Sequence, residues 1–250
     1  MDGYLLAAWN IYRVLHPTIE TSDMSVELPY NPSVFQALLP VDSAAAALDS
    51  QGGNHLVYAN LMNIFKKHGV ESSVGLTLLH RHYSLSDAER VVEFNDVATA
   101  WPVAGAEALD ALVPRAWVLF ERGIVMPYEY KYYPDTKEAQ KQLNMIALFQ
   151  ATHSDFITEI TASLSRLGLI NVLGLRAYPG DNWEGRFEVN TGRVSINLLP
   201  HQAPASKSIE TAWFFTEHII KHSCKCLCGI NAGRGGHTGD HSGIHLQVDR

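Results

Sequence analysis

The chain has 250 residues, of which 46% are apolar and 10% aromatic, and a net charge of −7 with histidine neutral. That is enough apolar material for a large core, and too much for a globally disordered chain. The acidic balance argues against a nucleic-acid partner, which needs a basic face to displace counterions.

Gly3 to His16 reads as a helix ending before Pro17, and Ser33 to Leu39 as a short helix closed by Pro40. Ser43 to Gly53 is small and polar and reads as a loop. Asn54 is a good N-cap for a helix with Val57, Leu61, Ile64 and Phe65 on one stripe, ending at His68-Gly69. Gly75 to Tyr83 and Arg90 to Phe94 are β-type runs. Trp117 to Arg122 and Ile124 to Tyr133 flank a tight turn at Arg122-Gly123.

Two helical patterns follow. One carries Ala139, Leu143, Ile146 and Ala147; the next carries Phe156, Ile160, Leu164 and Leu167 and stops at Gly168. Leu169 to Tyr178 reads as a strand. Trp183, Phe187 and Val189 alternate with Glu184, Arg186 and Glu188. After a turn at Asn190-Thr191-Gly192, Val194, Ile196 and Leu198 alternate again, so a hairpin burying the apolar set on one side of a sheet is expected. Ser208 looks like the cap of a last helix with Ile209, Ala212, Trp213 and Ile220 inward. Strands in hairpins and helices in blocks predict an α+β fold with a mainly antiparallel sheet over residues 1–228, followed by a flexible Gly/His-rich tail, 229–250.

The tail region concentrates the ligand chemistry. All three cysteines and five of the twelve histidines lie between His218 and His245. Thiolate and imidazole suit zinc. The spacing matches no zinc-finger pattern, and a Cys-x2-Cys pair is absent, but the ligand types allow a structural zinc site drawing on Cys224, Cys226, Cys228 and one of His222, His237 or His241; the alternative is a partly disordered tail with incidental metal affinity. The odd cysteine count and the absence of a basic signal-peptide start or a membrane-length apolar run point to a reducing, cytoplasmic setting with no membrane partner.

His80-Arg81-His82 is the second candidate. On a strand, both imidazoles project from one face, and Glu89 follows as an available carboxylate. The expectation for this pair is separate hydrogen bonding, divergence or solvent exposure. Tyr128, Tyr130, Tyr132 and Tyr133 form an aromatic strand. No Gly-x-Ser-x-Gly elbow and no Walker loop occur.

The His-x-His with its downstream Glu resembles the first metal motif of cupins, but lacks the glycine of that motif and has no second motif. The segment Gly75-Leu-Thr-Leu-Leu79-His80-Arg81-His82-Tyr83, of the form G-x-x-x-L-H-R-H-[FY], resembles one in uncharacterised proteins of filamentous fungi. The likeness runs from Leu56 to Pro102 and touches the tail. It implies a fungal source and a common fold, and transfers no activity. Two readings follow: a small-molecule or partner-binding α+β domain with a tail zinc site, or a metal-dependent enzyme, hydrolase or oxygenase in type, using His80 and His82. A third is an interaction protein whose tail orders on a partner.

Overall fold

Strand pairing in this protein closes on itself. The computed structural model describes residues 26–103, 110–217 and 224–227. Its strands are β1 (Val26–Glu27), β2 (Leu39–Pro40), β3 (Val74–Leu78), β4 (His80–Arg81), β5 (Glu89–Phe94), β6 (Val97–Pro102), β7 (Leu112–Phe120), β8 (Ile124–Tyr132), β9 (Leu173–Ala177), β10 (Arg186–Thr191), β11 (Val194–Leu198), β12 (Ser208–Trp213) and β13 (Cys224–Leu227). They pair in the order β8-β5-β6-β11-β10-β13-β12-β3-β9-β7, and β7 returns to β8. This is a barrel, and closure removes the sheet edges that would otherwise template aggregation. Within the ring only β5–β8 and β10–β13 are parallel. The expected α+β class with a mainly antiparallel sheet is therefore observed.

The helices are α1 (Pro32–Ala37), α2 (Val41–Asp49), α3 (Gly53–Leu56) running through a π-turn (Val57–Leu61) into α4 (Met62–His68), α5 (Thr136–Thr152) and α6 (Ser154–Arg166). Their ends follow local chemistry. The Asn31 side chain accepts from Ser33 N at the start of α1, and Asp135 accepts from Lys137 N at the start of α5. Gly69, at φ 65°, ends α4 in the left-handed conformation that glycine adopts without a Cβ penalty. On α6, Phe156, Ile160 and Leu164 are buried at helical spacing. They pack with Phe65, Leu76, Leu119 and Leu175 into the main core, which lies between helices and barrel wall.

Two segments differ from the sequence reading. Ser43 to Gly53, expected as loop, largely belongs to α2; its run of four alanines is the strongest helix former available, and Val41, Ala44 and Leu48 bury one stripe. The helix expected from Ser208 is strand β12, which fills the gap between β13 and β3 and so completes the ring. Long-range pairing overrides a helical periodicity that also fits Ile209, Thr211 and Trp213 in alternation. The helix expected over Gly3 to His16 and the tail 229–250 lie outside the described residues.

The hairpin β10–β11 forms in the register that alternation implies, Phe187 opposite Leu198 and Thr191 opposite Val194. Its polarity is the reverse of expectation. Glu188, Asn190, Ser195 and Asn197 are buried, whereas Phe187, Val194, Ile196 and Leu198 are half-exposed; of the apolar strand residues only Val189 is buried.

The register explains the reversal. Glu188 faces Asn197, and Asn190 faces Ser195. Ser195 faces Ala98, which faces Glu93. Glu93 and Val91 face Lys131 and Glu129. Glu129 faces Ala116, which faces Arg176. Arg176 faces Gly75, and Thr77 on that face pairs with Ala212. Ala212 pairs with Cys224, and Cys226 two residues on faces Glu188. Cross-strand partners share a face, so this circuit traces the inner surface of the barrel. That surface is polar; the apolar rows face outward to the helices.

Glycines at two inner positions let neighbouring chain approach closely. A Cβ on Gly75 would strike the Trp213 carbonyl and the Phe214 ring; one on Gly174 would strike the Trp117 carbonyl and the Leu79 side chain. At the end of the barrel where β3 finishes, Phe35 of α1 and Leu38 just after it pack with Leu79, Tyr83 and Leu85 against Val91, Ala98 and Ala116. That end is plugged by apolar side chains.

Candidate metal centre

The chain leaves the barrel wall directly after β3. Leu79 N makes a last bond to Val172 O at 2.8 Å. β4 then pairs with β2 instead, Leu39 opposite His80. This departure carries His80 and His82 off the sheet, and the two rings meet edge to face with centroids 4.6 Å apart. Each is 4% exposed.

Each imidazole is tied at one nitrogen. His80 Nδ1 donates to the Leu78 carbonyl at 2.8 Å; a carbonyl only accepts, so the proton is on Nδ1 and Nε2 carries the lone pair. His82 Nε2 lies 3.4 Å from Glu129 Oε1, and Glu129 Oε2 accepts from Arg176 Nη1 at 3.0 Å. The remaining nitrogens, His80 Nε2 and His82 Nδ1, are buried with no hydrogen-bond partner among the described residues. The same is true of Glu188 Oε2, which sits 3.8 Å from His80 Nε2. One ligand atom from each of His80, His82 and Glu188 lies within 4.8 Å of the other two.

The electrostatics follow from burial and the two carboxylates. Burial first, then the neighbouring His82, lowers the His80 pKa from 6.5 to about 4, so this ring is neutral. Burial opposes charge on His82 too, but Glu188 and Glu129 outweigh it and its pKa is raised. Burial alone would favour a protonated Glu129; Arg176 and His82 overcome that and hold its pKa far below the usual carboxylate range.

A neutral imidazole with one nitrogen bonded to a carbonyl, a second imidazole with one nitrogen on a carboxylate, and a third ligand beside them is the arrangement in which proteins present histidine to a metal. With metal–ligand bonds of about 2.0–2.2 Å, cis ligand atoms sit about 3–3.5 Å apart. The 3.8 Å between His80 and Glu188 is close to that, and the three ligand atoms all lie within 4.8 Å of one another.

Separate hydrogen bonding, one of the expected arrangements, is observed; neither histidine faces solvent, and one ligand atom of each lies within 4.8 Å of one on Glu188. Glu89 is not part of this group. Its carboxylate pairs with Arg193 and accepts from Ser86 N at 2.8 Å, and these contacts hold its pKa down at about 2. The carboxylate beside the pair is Glu188, because β10 turns its acidic face inward.

The aromatic strand is divided between environments: Tyr128 is buried with Leu79 and Tyr83, Tyr130 packs with Val92 and Leu112, and Tyr132 packs against Phe94. Cys224 and Cys226 lie on β13. The Cys226 thiol is buried, accepts from the Asn190 amide at 3.6 Å, and is on the residue opposite Glu188. His222, Cys228, His237 and His241 lie outside the described residues.

Glu188, Glu129 and Arg176 were not anticipated from the sequence. A signal was present: Glu93 and Glu129 each interrupt an apolar or aromatic strand, in Val-Val-Glu-Phe and Tyr-Glu-Tyr, where a charge has no solvent to face. No helix among the described residues is long and apolar enough to cross a membrane. No family model, curated protein or solved structure matches this chain.

Proposed function

We propose that the protein is a metal-dependent enzyme, hydrolase or oxygenase in type, whose divalent metal is held by His80, His82 and Glu188. The observation that carries this reading is the convergence of a ligand atom from each of His80, His82 and Glu188, in a pocket where His80 Nε2, His82 Nδ1 and Glu188 Oε2 are buried without a hydrogen-bond partner among the described residues. Burying such groups without compensation costs free energy; a cation compensates all three at once. Two histidines and one carboxylate leave coordination positions open, the property that separates catalytic from structural sites. Iron(II) in such a set activates oxygen, and zinc in such a set activates water. Glu129, backed by Arg176, acts on His82 alone: it fixes the ring and raises its basicity as a ligand.

A second reading, zinc held by the tail cysteines, draws support from the burial of Cys226 beside Glu188. Cobalt(II) binding separates the two. Ligation by imidazole and carboxylate gives d–d bands without thiolate-to-cobalt charge transfer, and is lost in His80→Ala. An intense charge-transfer band that survives in His80→Ala would place the metal on cysteine and reject the proposal.

A further inference from the structure

The barrel end opposite the plugged one, where β8 finishes and β10 begins, opens into a cavity of about 490 Å³ beneath α5. That is within the size range of small-molecule sites. Three cationic side chains line it: Arg115, Lys131 and Arg186. Two carboxylates answer them. Glu93, 10% exposed, pairs with both Arg115 and Lys131 and also accepts from Asn197 at 3.2 Å. Asp96, the partner of Arg186 at 3.4 Å, is 63% exposed, so water screens much of its charge. Among the described lining residues, three cations thus face two carboxylates, and the buried one, Glu93, meets two of the cations. The rest of the wall mixes polar side chains, Asn95, Gln142, Gln150 and Asn197 among them, with an apolar and aromatic patch made by Met145 and Phe149 from α5 and by Trp183, whose ring meets Phe214 edge to face at 5.1 Å.

The roof is α5, most of whose residues are half-buried or exposed. Of the 17 residues of α5, only Ala139 is buried, and Met145 is 55% exposed although it lines the cavity. Ile146 and Phe149 of the same helix are half-buried against the main core and line the cavity as well.

We propose that this cavity binds an organic carboxylate with an apolar body, the head against Arg115, Lys131 and Arg186 and the body against Met145, Phe149 and Trp183. The inference does not depend on the metal centre, since none of His80, His82 and Glu188 lines the cavity.

The test uses three ten-carbon probes that differ only in the head group: decanoate, decanol and decylamine. Each is titrated into the full chain in EDTA, by calorimetry and by tryptophan fluorescence, which reads Trp183 in the wall. Decanoate is expected to bind one per chain, at least ten-fold more tightly than decanol, and decylamine not to bind. Lys131→Met and Arg186→Met should each weaken decanoate about ten-fold and leave decanol unchanged. Equal binding of acid and amine, binding of none of the three, or an undiminished decanoate affinity in both variants would overturn the proposal. Because metal is absent throughout, none of these outcomes bears on the metal reading.

Discussion

His80 Nε2 and Glu188 Oε2 face each other at 3.8 Å, both buried and neither with a hydrogen-bond partner among the described residues. The contact is too long for a hydrogen bond and close to the spacing of two ligands on one ion. His82, against the same pair, carries the raised pKa. Burial opposes a proton on His82 and the two carboxylates favour it; a metal ion would take the place of that proton.

This exchange predicts a pH dependence. Metal-free, the folded pair accepts one proton readily, on His82, and resists the second, on His80. The contribution of His82 to stability is complete below about pH 6.5 and is lost as pH rises through its raised pKa. That of His80 is complete above about pH 6.5 and is lost as pH falls towards 4. Stability of the metal-free protein should therefore peak near pH 6.5. The acid limb should be worth on the order of 3 kcal/mol, from a pKa lowered from 6.5 to about 4 at about 1.36 kcal/mol per pH unit. Urea denaturation at half-unit pH intervals measures this, and His80→Leu should flatten the limb between pH 6.5 and 4.

The Glu129–Arg176 pair is buried, each side chain under a tenth exposed. Removing one partner takes from a buried charge its closest opposite charge. Glu129→Leu should destabilise the fold by about 3–5 kcal/mol, and the double variant Glu129→Leu/Arg176→Leu by clearly less. A double-mutant cycle read by thermal unfolding checks it; additive losses would mean that the two residues act independently.

Much of the fold was legible in the sequence, and the reason the site was not is physical. The β10–β11 hairpin, the α3–α4 helix and the turn at Arg122-Gly123 follow from local patterns of period two and 3.6 and from turn residues. His80-x-His82 is likewise a local pattern. Glu188 is not, because alternation states which residues share a face and leaves open which face is inside. Apolar-in is the usual choice, and it fails here because the barrel encloses a polar interior while helices cover only part of its outer surface. Ring closure through β12 and β13 is set by long-range pairing, which no local window contains.

That reversal has its own test. As a core residue, Phe187 would cost about 3–5 kcal/mol on truncation to alanine. It is half-exposed, with the Lys225 ammonium 5.7 Å from its ring centroid. Phe187→Ala should therefore cost only about 1–2 kcal/mol. Asn190→Leu, an apolar side chain placed in the polar interior beside Glu188, should be the more damaging change of the two. Chemical denaturation of both variants gives the order; the opposite order would return the apolar face of the hairpin to the inside.

Gly75 and Gly174 should resist the smallest substitution. A methyl group at either position meets a backbone carbonyl that cannot rotate away. Gly174→Ala should lower stability by about 1–3 kcal/mol through forced backbone displacement, whereas Gly180→Ala, with open space around its Cβ position, should be governed by its positive φ alone. Thermal unfolding of the two variants compares a steric with a conformational penalty.

The central claim is that His80, His82 and Glu188 hold a metal. Elemental analysis of protein purified without a histidine tag, stripped with EDTA and reloaded under anaerobic conditions with iron(II) or zinc(II), tests it most directly. One equivalent of metal should remain after desalting in the wild type and in the Cys224→Ser/Cys226→Ser/Cys228→Ser variant, and less than a tenth of an equivalent in His80→Ala and in Glu188→Ala. Full retention in His80→Ala, or loss of metal in the triple serine variant alone, would contradict the assignment and move the metal to the cysteines.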